Sequence, residues 1–453
     1  MARIMDGRHF VIGLWVLLLV ACSSGQSSTS PDDQLQQNST LVLGGAKQYK
    51  AMIGLQGVQP YLTDGHYAER LKRCVLAQNE EQACSLKHLP LIGMEHVYPS
   101  VDDIMQRVVV SHQWMGQRFE DALLQLPDDV RVLMKGVTAI VLAEDIRPSY
   151  YWSLTGAIYI DPYHLWLSAE EKSTFSGLLA GMNNNGKNGK LSFHAWWRYV
   201  LDDDFAYRLW ADWDDETRNP EQILLPLAAT LFHELAHAND YFPPTQLQQL
   251  ESSWTIPQAV NQLKAWRASE RLYDVAPLIS PVMFRLAAAI HRDAQLDEQE
   301  QLLSAAEVGL EFQMGIANDD YAYISRFEDV AMLFEETMMA RHYNLQRDVA
   351  YLPRAANEDG AGCDDYTVAW GMRNRLGDPT VKARALQVAE DLMPTRQWSD
   401  FFEKLPHPQF LTIGSGWCQS LIVGNDAAAL ASPLHPSLSE QGFQQQHSTR
   451  IHF

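Results

Sequence analysis

The segment PEQILLPLAATLFHELAHANDYFPP, residues 220–244, limits the fold more tightly than any other stretch of the chain. Ile223, Leu224, Leu227, Ala228, Leu231, Leu235 and Ala236 give it an apolar flank at helical spacing, and the prolines at 243 and 244 close it. A helix this apolar is expected to be buried, and it carries His233, Glu234 and His237 inward with it. Ionisable groups taken out of water need hydrogen bonds, opposite charges or a metal ion.

His233 and His237 are four residues apart, so both imidazoles lie on one side of the helix. That spacing suits a zinc ion. Glu234, beside the first histidine, is turned sideways, where it can take a proton from a water that the metal acidifies. By chance such a pattern would occur only ~0.03 times in a chain of this composition. Two histidines hold zinc poorly, so a third protein ligand is required. HANDYFPP offers no third histidine, and Asp240 reads better as an outer acceptor or helix-end partner than as a ligand. The stronger candidate lies in RFEDVAMLFEE. There Glu328 opens a helix whose packing stripe is Phe327, Val330, Ala331, Phe334 and Met338, and a carboxylate beside such a stripe needs a counter-charge. Glu335, two turns further along the same face, is the rival. The plainer reading makes Glu328, Asp329, Glu335 and Glu336 a solvated acidic edge.

His233-Glu234-x-x-His237 with a downstream helical glutamate resembles the gluzincin class of zinc metallopeptidases, most closely the catalytic domain of the anthrax lethal factor type. The likeness covers roughly residues 130–345 and is specific over HELAHANDY and YAYISRFEDVAMLFEE. It departs at Asn239, where that pattern has aspartate. The resemblance implies a tyrosine seven positions before the ligand glutamate that stabilises the oxyanion. Tyr321 stands there, with Tyr323 as a near alternative. It also implies a zincin-like fold, a short sheet ahead of the active helix whose edge strand pairs with extended peptide, here assigned to TGAIYIDP.

The N-terminus looks like a targeting segment. Arg3 and Arg8 precede FVIGLWVLLLV, an apolar run too short to span a bilayer comfortably, and LVAC, residues 19–22, resembles the lipobox of bacterial lipoproteins. On that likeness Cys22 becomes the acylated first residue, and Ser23 implies outer-membrane sorting. Beyond the anchor remain Cys74, Cys84, Cys363 and Cys418. An even number in an oxidising compartment suggests two disulfides, of which Cys74–Cys84 with Cys363–Cys418 is the most local pairing. A formal net charge of −21 with no dense basic run argues against nucleic acid or anionic lipid as a main partner. The peptidase resemblance implies a peptide or protein substrate, and the lipobox likeness implies the lipid as the only membrane attachment.

The chain is therefore expected to be α+β and mostly helical. A signal peptide (1–21) and a flexible tether (22–45) lead to a mixed part with a small sheet (46–215). A helical zinc-site part (216–345), a cysteine-containing part (346–424) and a disordered tail (425–453) follow. In the mixed part, spacing through Ile104, Val108, Trp114, Phe119 and Leu123 predicts one helix stopped by Pro127, while VTAIVLA (137–143) and GAIYID (156–161) predict strands. GMNNNGKNGK (181–190) reads as a loop, and the acidic runs at 202–204 and 212–216 as solvated faces. The function expected is that of a lipid-anchored zinc metallopeptidase. The alternative is a non-catalytic zinc-containing binding lipoprotein on a peptidase-like scaffold.

Overall fold

A computed structural model describes residues 55–175, 191–207 and 217–423, except 293 and 359. Cys22, the tether, the loop at 181–190, the acidic run at 212–216 and the tail from 425 lie outside the described residues. Within them the chain is α+β, with many helices and two five-stranded sheets.

The first sheet contains β1 (Gln59–Pro60), β2 (Val108–Val110), β3 (Ile140–Leu142), β4 (Tyr150–Trp152) and β5 (Ala157–Ile160), in the order β1-β2-β3-β5-β4. The central strands β2, β3 and β5 are parallel, and β1 and β4 close the two edges antiparallel. Side chains alternate between two cores, as the strand period requires. Val108, Val110, Ile140, Leu142, Ile158 and Ile160 enter the large core under the sheet, whereas Val109, Val141 and Tyr159 pack on the other face. Burial on both faces explains why these strands read as unbroken apolar runs.

Two expectations need correction. The single helix predicted across 102–127 is helix α1 (Val101–Met105), strand β2 and helix α2 (Gln113–Leu123). Three consecutive β-branched valines favour the pleated conformation and interrupt the helix. The predicted edge strand, TGAIYIDP, forms β5 but lies inside the sheet. The edge belongs to β4, which pairs Tyr151 with Ile158.

Helix α3 (Pro220–Tyr241) runs under this sheet as expected. Asn219 caps it reciprocally with Gln222, and Pro220 occupies its first turn. After Pro244 come two helices, Ile256–Gln262 and α4 (Ala268–Val275), and α5 (Pro281–Arg292) follows. Helix α6 (Arg326–Tyr343) begins at Ser325, whose hydroxyl accepts from the Glu328 amide at 3.2 Å, and stops at Asn344 in the left-handed conformation. Helices α3 and α6 share the large core through Leu227, Leu231, Leu235, Val330, Leu333 and Phe334.

The second sheet was not foreseen. It is antiparallel, in the order β10-β9-β8-β6-β7, from β6 (Phe193–Leu201), β7 (Asp204–Phe205), β8 (Gln346–Pro353), β9 (Trp370–Arg373) and β10 (Gln409–Phe410). Strand β6 precedes α3 and β8 follows α6, so their pairing brackets both helices. The last long helix is α7 (Pro379–Leu392). Both disulfides are those expected, Cys74–Cys84 and Cys363–Cys418.

Candidate metal centre

His233 and His237 project from the same side of α3, and Glu328 meets them from the first turn of α6. Its Oε2 lies 3.1 Å from His233 Nε2 and 3.4 Å from His237 Nε2. All three residues are buried, with 2, 8 and 5 % exposure for His233, His237 and Glu328. The three donor atoms lie within 4.8 Å of one another. Ligands about 2.1 Å from a tetrahedral zinc ion sit roughly 3.3 Å apart. The two separations from Glu328 match that spacing, and the donor set of two imidazoles and a carboxylate is one zinc accepts.

The charges around this point explain the strength of the contacts. Burial works against a charged His233, yet hydrogen bonds to Glu328 and Glu335 drive it up to about 10. Burial alone would raise the Glu328 carboxyl, but the His237 and His233 imidazoles hold it well below the usual carboxylate range. Without a metal, protons on imidazole do the neutralising; a divalent cation among the same atoms would take over that role.

Glu335 falls on the outer side of His233. Its Oε2 is 3.1 Å from His233 Nδ1, so it accepts from the ring nitrogen that faces away from the centre. The rival ligand is therefore an orienting partner that fixes which nitrogen is left for a metal. The other Glu335 oxygen accepts the Tyr199 hydroxyl at 3.1 Å and lies 3.5 Å from Arg347 Nη1. The acidic-edge reading of α6 fails as well: Glu328, Asp329, Glu335 and Glu336 are all buried. Asp329 pairs with Arg384, and Asn318 donates to Glu336 at 2.8 Å. Burial carries Glu336 up to about 7, against the pull of Arg347 and Asn318.

Glu234 is 3 % exposed and has no counter-charge of its own beyond the imidazoles. Burial raises its carboxyl, the two histidines oppose that rise, and it accepts the backbone N–H of Tyr151 from the sheet edge. Asp240 is not a ligand. It accepts from the Ser269 amide at 2.8 Å and hydroxyl at 2.7 Å, tying the end of α3 to α4.

The tyrosines separate cleanly. The Tyr321 ring lies 6.3 Å from that of His233, and its other side meets His291 at 4.9 Å. Tyr323 turns away toward Phe284 at 5.3 Å. A second group, Cys363, Asp364 and Cys418, also has metal-ligand residue types, but its two sulfurs are spent on each other in a disulfide.

Sequence reasoning missed Tyr199, Arg347 and Asp319, the outer supports of His233 and Tyr321. Tyr199 and Arg347 come from β6 and β8, whose place near α3 depends on pairing across many residues, and Asp319 caps the turn that carries Tyr321. Comparison with known proteins returns no match: no family model fits the chain, and no curated protein or solved structure matches it.

Proposed function

We propose that the chain is a zinc-dependent peptidase of the gluzincin kind, with His233, His237 and Glu328 as metal ligands. The observation that carries this reading is the convergence of three buried donors at the separations tetrahedral zinc requires, in a neighbourhood where carboxylates outnumber fixed cations. Bound there, zinc would supply a Lewis acid that acidifies water and polarises a carbonyl. Glu234 takes the proton and passes it to the departing amine. Its raised carboxyl and its place one residue from His233 suit both duties. Tyr321 donates its hydroxyl to the developing oxyanion. The outer edge of β4, whose Tyr151 amide reaches Glu234, receives the substrate as an added extended strand. A merely structural zinc site has no use for a buried base, so Glu234 favours catalysis over a passive binding role.

The protein is held to the envelope by a lipid on Cys22, with peptide or protein as substrate and no role for nucleic acid. Among the described residues no helix is long and apolar enough to cross a membrane. The test of function is zinc per chain by elemental analysis, beside cleavage of a random-sequence decapeptide library read by mass spectrometry. One zinc per chain, with cleavage lost in Glu234→Gln, is expected. No zinc in the purified or zinc-dialysed protein overturns the metal assignment, and cleavage that survives in Glu234→Gln overturns the mechanism. For location, Cys22→Ser should move the protein from the membrane to the soluble fraction; a variant that stays with membranes overturns the anchor.

A further inference from the structure

The orienting partner of His233 and the segment that carries Tyr321 are joined by one side chain. Arg347, on β8, is 1 % exposed. Its Nη1 lies 3.5 Å from Glu335 Oε1, and its Nη2 donates to Asp319 Oδ2 at 2.5 Å. The other oxygen of Asp319 accepts the Tyr321 amide at 2.9 Å and caps the 3-10 turn Asp320–Ile324. The path is continuous: His233 Nδ1, Glu335, the guanidinium, Asp319, the backbone of Tyr321. Trp197 and Tyr199 lie under the guanidinium, 4.1 and 5.4 Å from its carbon to their ring centres, and fix its plane.

Two other buried arginines, Arg375 and Arg384, are built differently. Arg375 donates to the carbonyls of Ala317, Phe312, Gln313 and Gly315, and Arg384 joins Asp329 to the carbonyls of Ala276 and Ile316. Those guanidiniums pin loops by filling their donors. Arg347 leaves its Nε and Nη1 without a hydrogen bond, at a cost, while Nη2 donates to Asp319 and Nη1 faces Glu335 as an ion pair.

We propose that Arg347 is a positioning residue that sets the His233 ring and Tyr321 together, so that ligand geometry and the oxyanion donor are adjusted by one guanidinium. Lysine cannot substitute, because a single ammonium lacks the planar fork that spans both carboxylates. The proposal rests on the metal reading above.

Arg347→Lys and Asp319→Asn test it through the metal alone. Zinc affinity is measured by chelator competition, and the site geometry by the visible d–d absorption of the cobalt(II)-loaded protein. Arg347→Lys keeps the charge but loosens Glu335, and should weaken zinc about 10- to 100-fold and shift the cobalt band. Asp319→Asn, which touches no metal ligand, should still shift the cobalt band, because the guanidinium loses its outer anchor; it carries the test if Arg347→Lys does not fold. On the peptide library, Arg347→Lys combined with Tyr321→Phe should lose less rate than the product of the two single losses. Parental zinc affinity and cobalt spectrum in Arg347→Lys, or an unshifted cobalt band in Asp319→Asn, overturn the proposal. A parent protein that takes up neither metal overturns the metal reading instead.

Discussion

Arg347 and Asp348 are consecutive in β8 and so point to opposite faces of the second sheet. On one face, Asp348 accepts from Arg198 Nε and Arg373 Nε, each at 2.7 Å. The remaining guanidinium donors go to the carbonyls of Trp417 and Leu421, the Ser420 hydroxyl and Asp203. That network closes on itself. On the other face, Arg347 is a fixed cation among Asp319, Glu335 and Glu336, with Glu328 and Glu234 beyond, where Arg292 and His233 also act on Glu328. Two buried networks share a strand, but only one of them includes histidines. The first behaves as a fastening; the second is the one in which we propose a metal ion.

The widest gap between the faces should appear in turnover. Glu234→Gln keeps the side chain's shape and removes its basicity, so peptide cleavage should fall roughly 10³- to 10⁴-fold with zinc retained. Asp348→Asn should leave the rate per folded molecule unchanged. A comparable rate loss in Asp348→Asn, measured on the same library, would erase the distinction.

Stability should divide the other way. Asp348→Asn leaves two buried guanidiniums short of charge and should cost about 3–5 kcal/mol in urea unfolding. Zinc at a thousand times its dissociation constant should add about 4 kcal/mol to the parent. That increment should survive Asp348→Asn and vanish in Glu328→Ala. A Glu328→Ala protein still stabilised by zinc would hand the ligand role back to Glu335.

Tyr321→Phe should be the next largest effect, a loss of about 10²–10³ in rate without loss of zinc, while Tyr323→Phe should do neither. Equal losses in both would mean that proximity to His233 is not what matters.

The smallest effect is a pH dependence from Glu336. Its carboxyl is raised from 4.5 to about 7, so the folded chain binds its proton more tightly than the unfolded chain does. The associated stability is fully present below about 4.5 and is lost as pH rises through about 7. In metal-free protein, Glu336→Gln should therefore gain on the parent between pH 5 and pH 8, by on the order of 1–3 kcal/mol. A pH-independent difference between the two would assign the Glu336 environment to packing rather than charge.

Much of the site could be read from local pattern. The spacing of His233 and His237, the Ser325 cap ahead of Glu328 and the prolines after α3 act within a few residues, and the structure keeps them. Glu328 and Glu335 could not be separated by pattern, since both lie on one face of α6 and helical period treats them alike. Their roles diverge because Glu335 meets Tyr199 and Arg347, which β6–β8 pairing delivers from residues far away in sequence. Strand β6 itself hides for a related reason. Its buried Arg198 looks like a surface residue until Asp348 is placed opposite it. The break at β2 was a different kind of miss, in which the helical spacing on either side outweighed three valines.

Strand β6 emerges before α3 and pairs with a strand that follows α6, with Phe193 opposite Pro353 and Val200 opposite Gln346. That order has a consequence for how the molecule comes into being. A chain growing from its N-terminus has all three proposed ligands in hand once Glu328 is made, but the strand that braces them does not yet exist. Closing so long a loop is a slow, entropically costly step that helix formation alone cannot replace. A fragment ending near residue 345 would lack Arg347 and leave one edge of β6 unpaired and open to aggregation. The smallest competent folding unit must therefore reach past β8, and metal capture should trail backbone completion during biogenesis.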